Sequence, residues 1–224
     1  MVDMHIHSIY SDGDKTISEI LKMCEEKNLE YISITDHNTC EQYNDKVLVN
    51  NKIFTGKIIQ GTELYAVFKN RSFEILGYNV NSDIINKWSK NYYSEDKLKH
   101  EQITCATRLL EACDKLGIIY DKDKIEKPKK VTEYMEISIY NELISHKENI
   151  KILGELSNSF NLFFRKGLAN PQSPYFTNRM EFRPKYEEVI DIIHKANGMA
   201  FLAHPFEYKF NDTISFINDL RKTS

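Results

Sequence analysis

The sequence predicts an α/β fold in which parallel strands are joined by helices. Two observations carry this reading. The first stretch of the chain, from Val2 to the capping-box pattern at Thr39 to Gln42, alternates twice between a short apolar strand pattern, a polar loop and a helical pattern, an order that sets successive strands side by side and parallel. Histidines then recur at the ends of three separate strand patterns, where parallel α/β proteins gather their chemically active groups.

The elements follow in order. Val2 to Ile6 reads as a strand that runs into a polar cluster, Ser8 to Asp14. Thr16 to Glu19 (TISE) has the form of a capping box, and Ile17, Ile20, Leu21 and Cys24 continue at helical spacing. Leu29 to Thr35 is a second strand, closed by Asp36, His37 and Asn38, and Thr39 to Gln42 (TCEQ) repeats the capping-box pattern. Lys57 to Val67 and Phe73 to Val80 read as strands, and the polar turn Lys69 to Ser72 makes them a hairpin. From Ser82 to Leu116 the pattern is helical, with Ile103, Ala106, Leu109, Leu110 and Cys113 on one face and Gly117 as the stop. Residues 118–182 are less patterned: Ile125 to Lys130 is basic and exposed, Glu133 to Ile150 helical, and Asn170 to Arg179 a loop. Pro184 opens a helix through Ala196 that Gly198 closes. Met199 to Ala203 is an apolar strand that delivers His204, and a last helix runs from Asp212 to Arg221. The expected organisation is one domain, residues 1–224, with a mostly helical insertion around residues 82–182.

Composition bounds the function classes. Hydrophobic residues make up 41% and charged residues 28% of 224, as in ordinary globular proteins. A net charge of -3 argues against holding nucleic acid by bulk electrostatics, though it leaves room for a local basic groove. No apolar run reaches the length of a membrane span, and the polar, His-rich opening is unlike a secretory signal peptide. The four cysteines show no CxxC spacing, so a cytoplasmic protein with reduced thiols is expected.

Five features point to metal chemistry. His5 and His7 stand two apart at the end of a strand and so leave the same face. Asp12 adds a carboxylate in the following loop, His37 ends the next strand, Glu63 offers a carboxylate able to bridge two cations, and His204 ends the last strand. Imidazole and carboxylate together are the donors that divalent transition metals take. His100, His146 and His194 fall within helical patterns and are read as ordinary surface or core histidines.

The segments Asp3 to Ser8 (DMHIHS), Ser11 to Gly13 (SDG), Ile34 to Thr39 (ITDHNT), Gly61 to Glu63 (GTE) and Ala203 to Pro205 (AHP) resemble, in order and spacing, the motifs of the PHP (polymerase and histidinol phosphatase) family. The resemblance implies a distorted (β/α)7, TIM-like barrel, here lacking its last strand or strands. It also implies a cofactor of two or three divalent ions, manganese, iron or zinc. Carried over, His5 and His7 hold one metal, Glu63 bridges it to a second that His204 also binds, and Asp12 and His37 hold a third. Three departures stand out. Glu74 occupies the place of a family histidine, and a carboxylate there favours a harder metal such as manganese over zinc. The family's helical histidine segment has no counterpart in the middle region. A closing Gly-Ser-Asp-x-His motif is absent before Ser224, while such barrels run to roughly 250 residues. A fragment, or a protein with an incomplete site and weak activity, is therefore expected.

The implied reaction is hydrolysis of phosphomonoesters, phosphodiesters or nucleotides by a metal-activated hydroxide. Asp36 and Asp3 are expected to orient ligand histidines, with Asp12 and Asp36 in supporting catalytic roles. Arg165, Arg179 and Arg183 are candidates for gripping phosphate through paired N–H donors. The substrate is a small phosphorylated molecule or nucleotide, with nucleic acid a further class. The rival readings are a metal-dependent amidohydrolase and a regulatory domain with impaired catalysis.

Overall fold

The computed structural model describes residues 1–128, 133–206 and 213–223. The chain divides into two compact units, Met1–Tyr92 with Arg183–Ser224, and Tyr93–Phe182. The first unit opens on β1 (Val2–Ile6), α1 (Ile17–Glu26), β2 (Tyr31–Ile34), α2 (Lys46–Val49) and β3 (Lys57–Ile58). β1 pairs with β2 and β2 with β3, both in parallel. A ten-residue helix such as α1 is too short to persist alone. It is held by the expected capping box between Thr16 and Glu19 and by burial of Ile17, Ile20, Leu21 and Cys24. Each such aliphatic side chain contributes about 1.5–3 kcal/mol on leaving water.

The second capping-box pattern opens no helix. Thr39 Oγ1 accepts from the Glu41 backbone N–H at 3.0 Å, a 3-10 turn covers Glu41–Asn44, and Asp45 caps the short α2 instead. The run Lys57 to Val67 also splits, because β3 joins the first sheet and β4 (Gly61–Phe68) the second.

β4 and β5 (Arg71–Tyr78) form the expected antiparallel hairpin. Its turn residues Lys69 and Asn70 both have positive φ, 49° and 58°, the handedness that matches strand twist in a two-residue turn. Next comes α3 (Ser82–Tyr92).

The helix predicted through Leu116 breaks after Tyr92, where Ser94 takes extended backbone with ψ 153°. The second unit then runs through α4 (Glu95–Lys115), α5 (Met135–Ser145), α6 (Lys147–Leu153) and α7 (Phe160–Leu162), the last continuing as a π-helical turn, Phe163–Leu168. Gly117, at φ 69°, stops α4 as expected. The predicted helix from Glu133 to Ile150 is interrupted at His146, whose ψ is 115°. Leu109, Cys113, Ile139, Leu143, Phe163 and Leu168 pack this unit's own core. Arg179 lies within it and pairs with Glu101 at 2.6 Å and with Glu136, both buried, while stacking over Tyr134. Lys129 and Lys130 of the basic stretch lie outside the described residues.

The first unit resumes with α8 (Tyr186–Lys195), β6 (Met199–Leu202) and α9 (Thr213–Thr223), while Asp212 lies outside the described residues. Asn197, at φ 60°, takes the left-handed position expected of Gly198. β6 pairs with β5 antiparallel. α8 packs on β4, β5 and β6, and Phe216 of α9 sets its ring edge-on against Phe73 at 5.2 Å.

The α/β class therefore holds. Among the described residues the strands draw two open sheets, β1-β2-β3 and β4-β5-β6, rather than a closed ring of parallel strands. Between them runs one parallel bridge, His37 to Glu63. The four cysteines are buried, and burial pushes the Cys40 thiol up to about 12, which keeps it protonated. No helix among the described residues is long and apolar enough to cross a membrane.

Candidate metal centre

The His37–Glu63 bridge brings the end of the first sheet to the start of the second. Asn38 N–H donates to the Glu63 carbonyl at 2.8 Å, and Glu63 N–H to the Asp36 carbonyl at 3.2 Å. Glu63 is 1% exposed, and four imidazoles converge on it. Its Oε2 lies 3.1 Å from His5 Nε2, 3.1 Å from His7 Nε2 and 3.2 Å from His37 Nδ1, and its Oε1 3.0 Å from His204 Nε2. Burial works to raise the Glu63 carboxyl, but its contacts with His5 and His7 and the charge of His37 outweigh that and hold it well below the usual carboxylate range. Contact with Glu63 raises His7, whereas burial lowers His37.

Glu74, facing Tyr65 across the hairpin, sets Oε2 3.2 Å from His204 Nε2 and Oε1 3.9 Å from His37 Nδ1. Burial, then the charge of Glu63, raises its carboxyl. Asp12 approaches from an exposed loop, 3.1 Å from His7 Nδ1 and 3.6 Å from His37 Nε2. Among the described residues three donor groups result: His5, Glu63 and His204; His7, Asp12 and His37; and His37, Glu63 and Glu74. This grouping puts His7 with Asp12 and His37, although its Nε2 also faces that of His5 at 3.0 Å.

The donors fit divalent cations. Glu63 Oε2 and His37 Nδ1 are buried without a hydrogen-bond partner, even though imidazole nitrogens stand at ion-pair distance from the carboxylate. Buried polar atoms are ordinarily satisfied. A cation among these lone pairs would satisfy them, and the three carboxylates would offset its charge.

The supporting residues act differently from expectation. Asp36 is fully buried, yet it reaches no imidazole. It accepts from Ser8 N–H at 2.8 Å, Ser8 Oγ at 2.6 Å and Ser11 Oγ at 2.5 Å. Ser11 Oγ lies 3.4 Å from His7 Nδ1, so the hydrogen bonds of the Asp36 carboxylate lead to His7 through this loop. Asp3 is exposed and accepts from the His5 backbone at 3.4 Å. The loop is tight: Gly13 N–H donates to the Ser8 carbonyl at 3.0 Å, and a Cβ at Gly13 would meet the His7 carbonyl oxygen at 2.4 Å.

Ser8 and Ser11 carry this loop, and the hydroxyls beside SDG were the only signal for them. Of the arginines, Arg165 is exposed on the π-helical turn and Arg179 is committed to Glu101 and Glu136. Arg183 sits with its guanidinium carbon 5.8 Å from the centre of the Tyr65 ring. His100 rests edge-on against Phe182, His146 pairs with Glu142 at 2.8 Å, and His194 is exposed on α8.

The family model described as PHP domain matches residues 3–218. The chain belongs to the PHP domain family. Among curated relatives, the 5'-3' exoribonuclease Rnm of Escherichia coli is 22% identical over 214 residues, covering 93% of this chain and 67% of the relative. A 5'-3' exoribonuclease of Haemophilus influenzae is 23% identical over 208 residues, covering 92% and 69%.

Two solved structures share the fold. An amidohydrolase from Chromobacterium violaceum, with bound sulfate and no metal, aligns at TM-score 0.62 and 18% identity over 99% of this chain and 73% of its own. A protein assigned as a metal-dependent phosphoesterase from Bifidobacterium adolescentis aligns at 0.54 and 19%, over 91% and 66%. As a PHP domain, the chain is a metal-dependent phosphoester hydrolase.

Proposed function

We propose that this PHP domain hydrolyses phosphoesters of nucleotides or RNA at a centre of two or three divalent ions, held by His5, His7, Asp12, His37, Glu63, Glu74 and His204. The convergence of four imidazoles on the buried, unsatisfied carboxylate of Glu63 carries the reading. RNA as substrate is supported by the two exoribonuclease relatives. Bound there, manganese, iron or zinc would lower the pKa of water and neutralise phosphate charge. Glu63 serves the first and third donor groups, and Asp12 faces solvent where a substrate enters. Asp36, through Ser8 and Ser11, keeps the Asp12 loop in place. Of the candidates Arg165, Arg179 and Arg183, Arg183 alone shares a unit with His37 and lies over the Tyr65 ring beside it, which favours it to meet phosphate.

The His37–Glu63 bridge supports reading the two sheets as arcs of one distorted (β/α)7 barrel, with the 93–182 unit as an insertion into it. Four unpaired cysteines support a reducing, cytoplasmic setting.

Metal that binds only the folded state stabilises it by about 2.7 kcal/mol when free metal is a hundredfold above its dissociation constant. A chelator is therefore expected to lower the melting temperature of the wild type, and to do so less for His204→Ala. Equal shifts in the two proteins would remove His204 from the ligand set. Elemental analysis that finds no metal after reconstitution with manganese, iron or zinc would overturn the centre as a whole. Release of nucleotides from a 5'-phosphorylated oligoribonucleotide, compared with a simple phosphomonoester, tests the substrate class.

A further inference from the structure

Tyr65 stands on β4 two residues beyond Glu63, so both side chains leave one face of the strand. Its ring lies nearly parallel to that of His37, 10° between planes and 5.2 Å between centres. Its backbone N–H donates to Asn38 Oδ1 at 3.1 Å. Asn38, at φ 54°, sits in the left-handed region that asparagine tolerates and binds the Glu63 carbonyl through its own N–H. The residue after His37 is thus clamped to the strand that carries Tyr65, and Arg183 lies over the tyrosine ring.

Ligand imidazoles are ordinarily oriented by an acceptor on their second ring nitrogen. His37 lacks that device: Nδ1 is buried without a hydrogen-bond partner, and Nε2 is 3.6 Å from Asp12, beyond hydrogen-bond reach. It also belongs to two donor groups, with Asp12 on the Nε2 side and Glu63 and Glu74 on the Nδ1 side. A neutral imidazole gives a cation only one of its two nitrogens, and an acceptor on the other would fix which donor group His37 serves. Face stacking fixes the plane of the ring without fixing that choice. We propose that Tyr65 is the positioning residue for His37, setting its plane by contact of ring faces under the guanidinium of Arg183.

The inference rests on reading this centre as a metal site, and the test separates the two. Manganese binding to the chelator-treated full chain is measured by titration calorimetry for wild type, Tyr65→Phe and Tyr65→Leu. Tyr65→Phe keeps the ring and is expected to keep the wild-type affinity. Tyr65→Leu keeps the apolar bulk but loses the flat face, and is expected to weaken manganese binding about 10–100-fold, the range found when a ligand's supporting partner is removed. The melting temperature of the metal-free proteins should stay level. Where Tyr65→Leu lowers it, Tyr65→Met, with its adaptable side chain, replaces it. Wild-type affinity in the leucine or methionine variant overturns the role of Tyr65 while leaving the metal centre intact. An equal loss in Tyr65→Phe also overturns it, since the hydroxyl and not the ring face would then matter. No manganese uptake by the wild type would overturn both readings.

Discussion

Glu63→Ala is expected to lower kcat/KM for phosphoester hydrolysis by about three orders of magnitude or more. Glu63 lies within 3.2 Å of all four imidazoles, and it belongs to two of the three donor groups among the described residues. Its loss removes a negative charge that offsets bound cations and the atoms that hold them at fixed spacing. Metal stabilisation of phosphate charge is worth several kcal/mol, and each 1.36 kcal/mol is about tenfold in rate. Glu63→Gln, which keeps the shape and removes the charge, should fall nearly as far. Metal content measured on the same samples should fall with activity. Activity within about tenfold of wild type, in a variant that has lost its metal, would place the chemistry elsewhere.

Arg179→Met is expected to cost about 3–5 kcal/mol of stability in the 93–182 unit, the usual penalty for removing one partner from a buried ion pair. Glu136 is fully buried and Glu101 is 5% exposed, so both carboxylates would lose the Arg179 guanidinium without gaining water. Adding Glu101→Gln and Glu136→Gln to the same chain should return most of the loss, because uncharged amides need no counterion. Urea unfolding, followed with hydrogen exchange in that unit, measures both steps. A single variant with unchanged stability but lost turnover would return Arg179 to the role of a phosphate-gripping residue.

The histidines were legible because their signal is local: a strand pattern that ends in imidazole says where the side chain emerges. The same holds for the Thr16 capping box and for the Lys69–Asn70 turn, each closed by residues within a few positions. What was hidden depends on partners far along the chain. Nothing near Arg179 announces Glu101 or Glu136, which lie 78 and 43 residues away. Asp36 sits beside His37 in sequence, yet its hydrogen bonds go to Ser8 and Ser11 across the parallel strand pair. Thr39 to Gln42 carries the letters of a capping box, but Asn86 from α3 accepts from the Cys40 backbone at 2.8 Å and Gln42 donates to the Ile34 carbonyl. Those contacts hold the segment in a short 3-10 turn where the pattern alone predicts an α-helix. Tyr65 was one more apolar position in a strand until the second sheet placed it over His37.

Gly13 gives a last lesson about this centre. It offers no side chain to a cation or a substrate, yet any replacement begins with the Cβ that the His7 carbonyl leaves no room for. Every other amino acid meets the same obstacle at its first atom, whatever its charge or size, so chemical similarity offers no graded path at this position. In a saturation library it would look as intolerant as a ligand. Intolerance alone therefore cannot separate the atoms that do chemistry here from the empty volume that lets them meet.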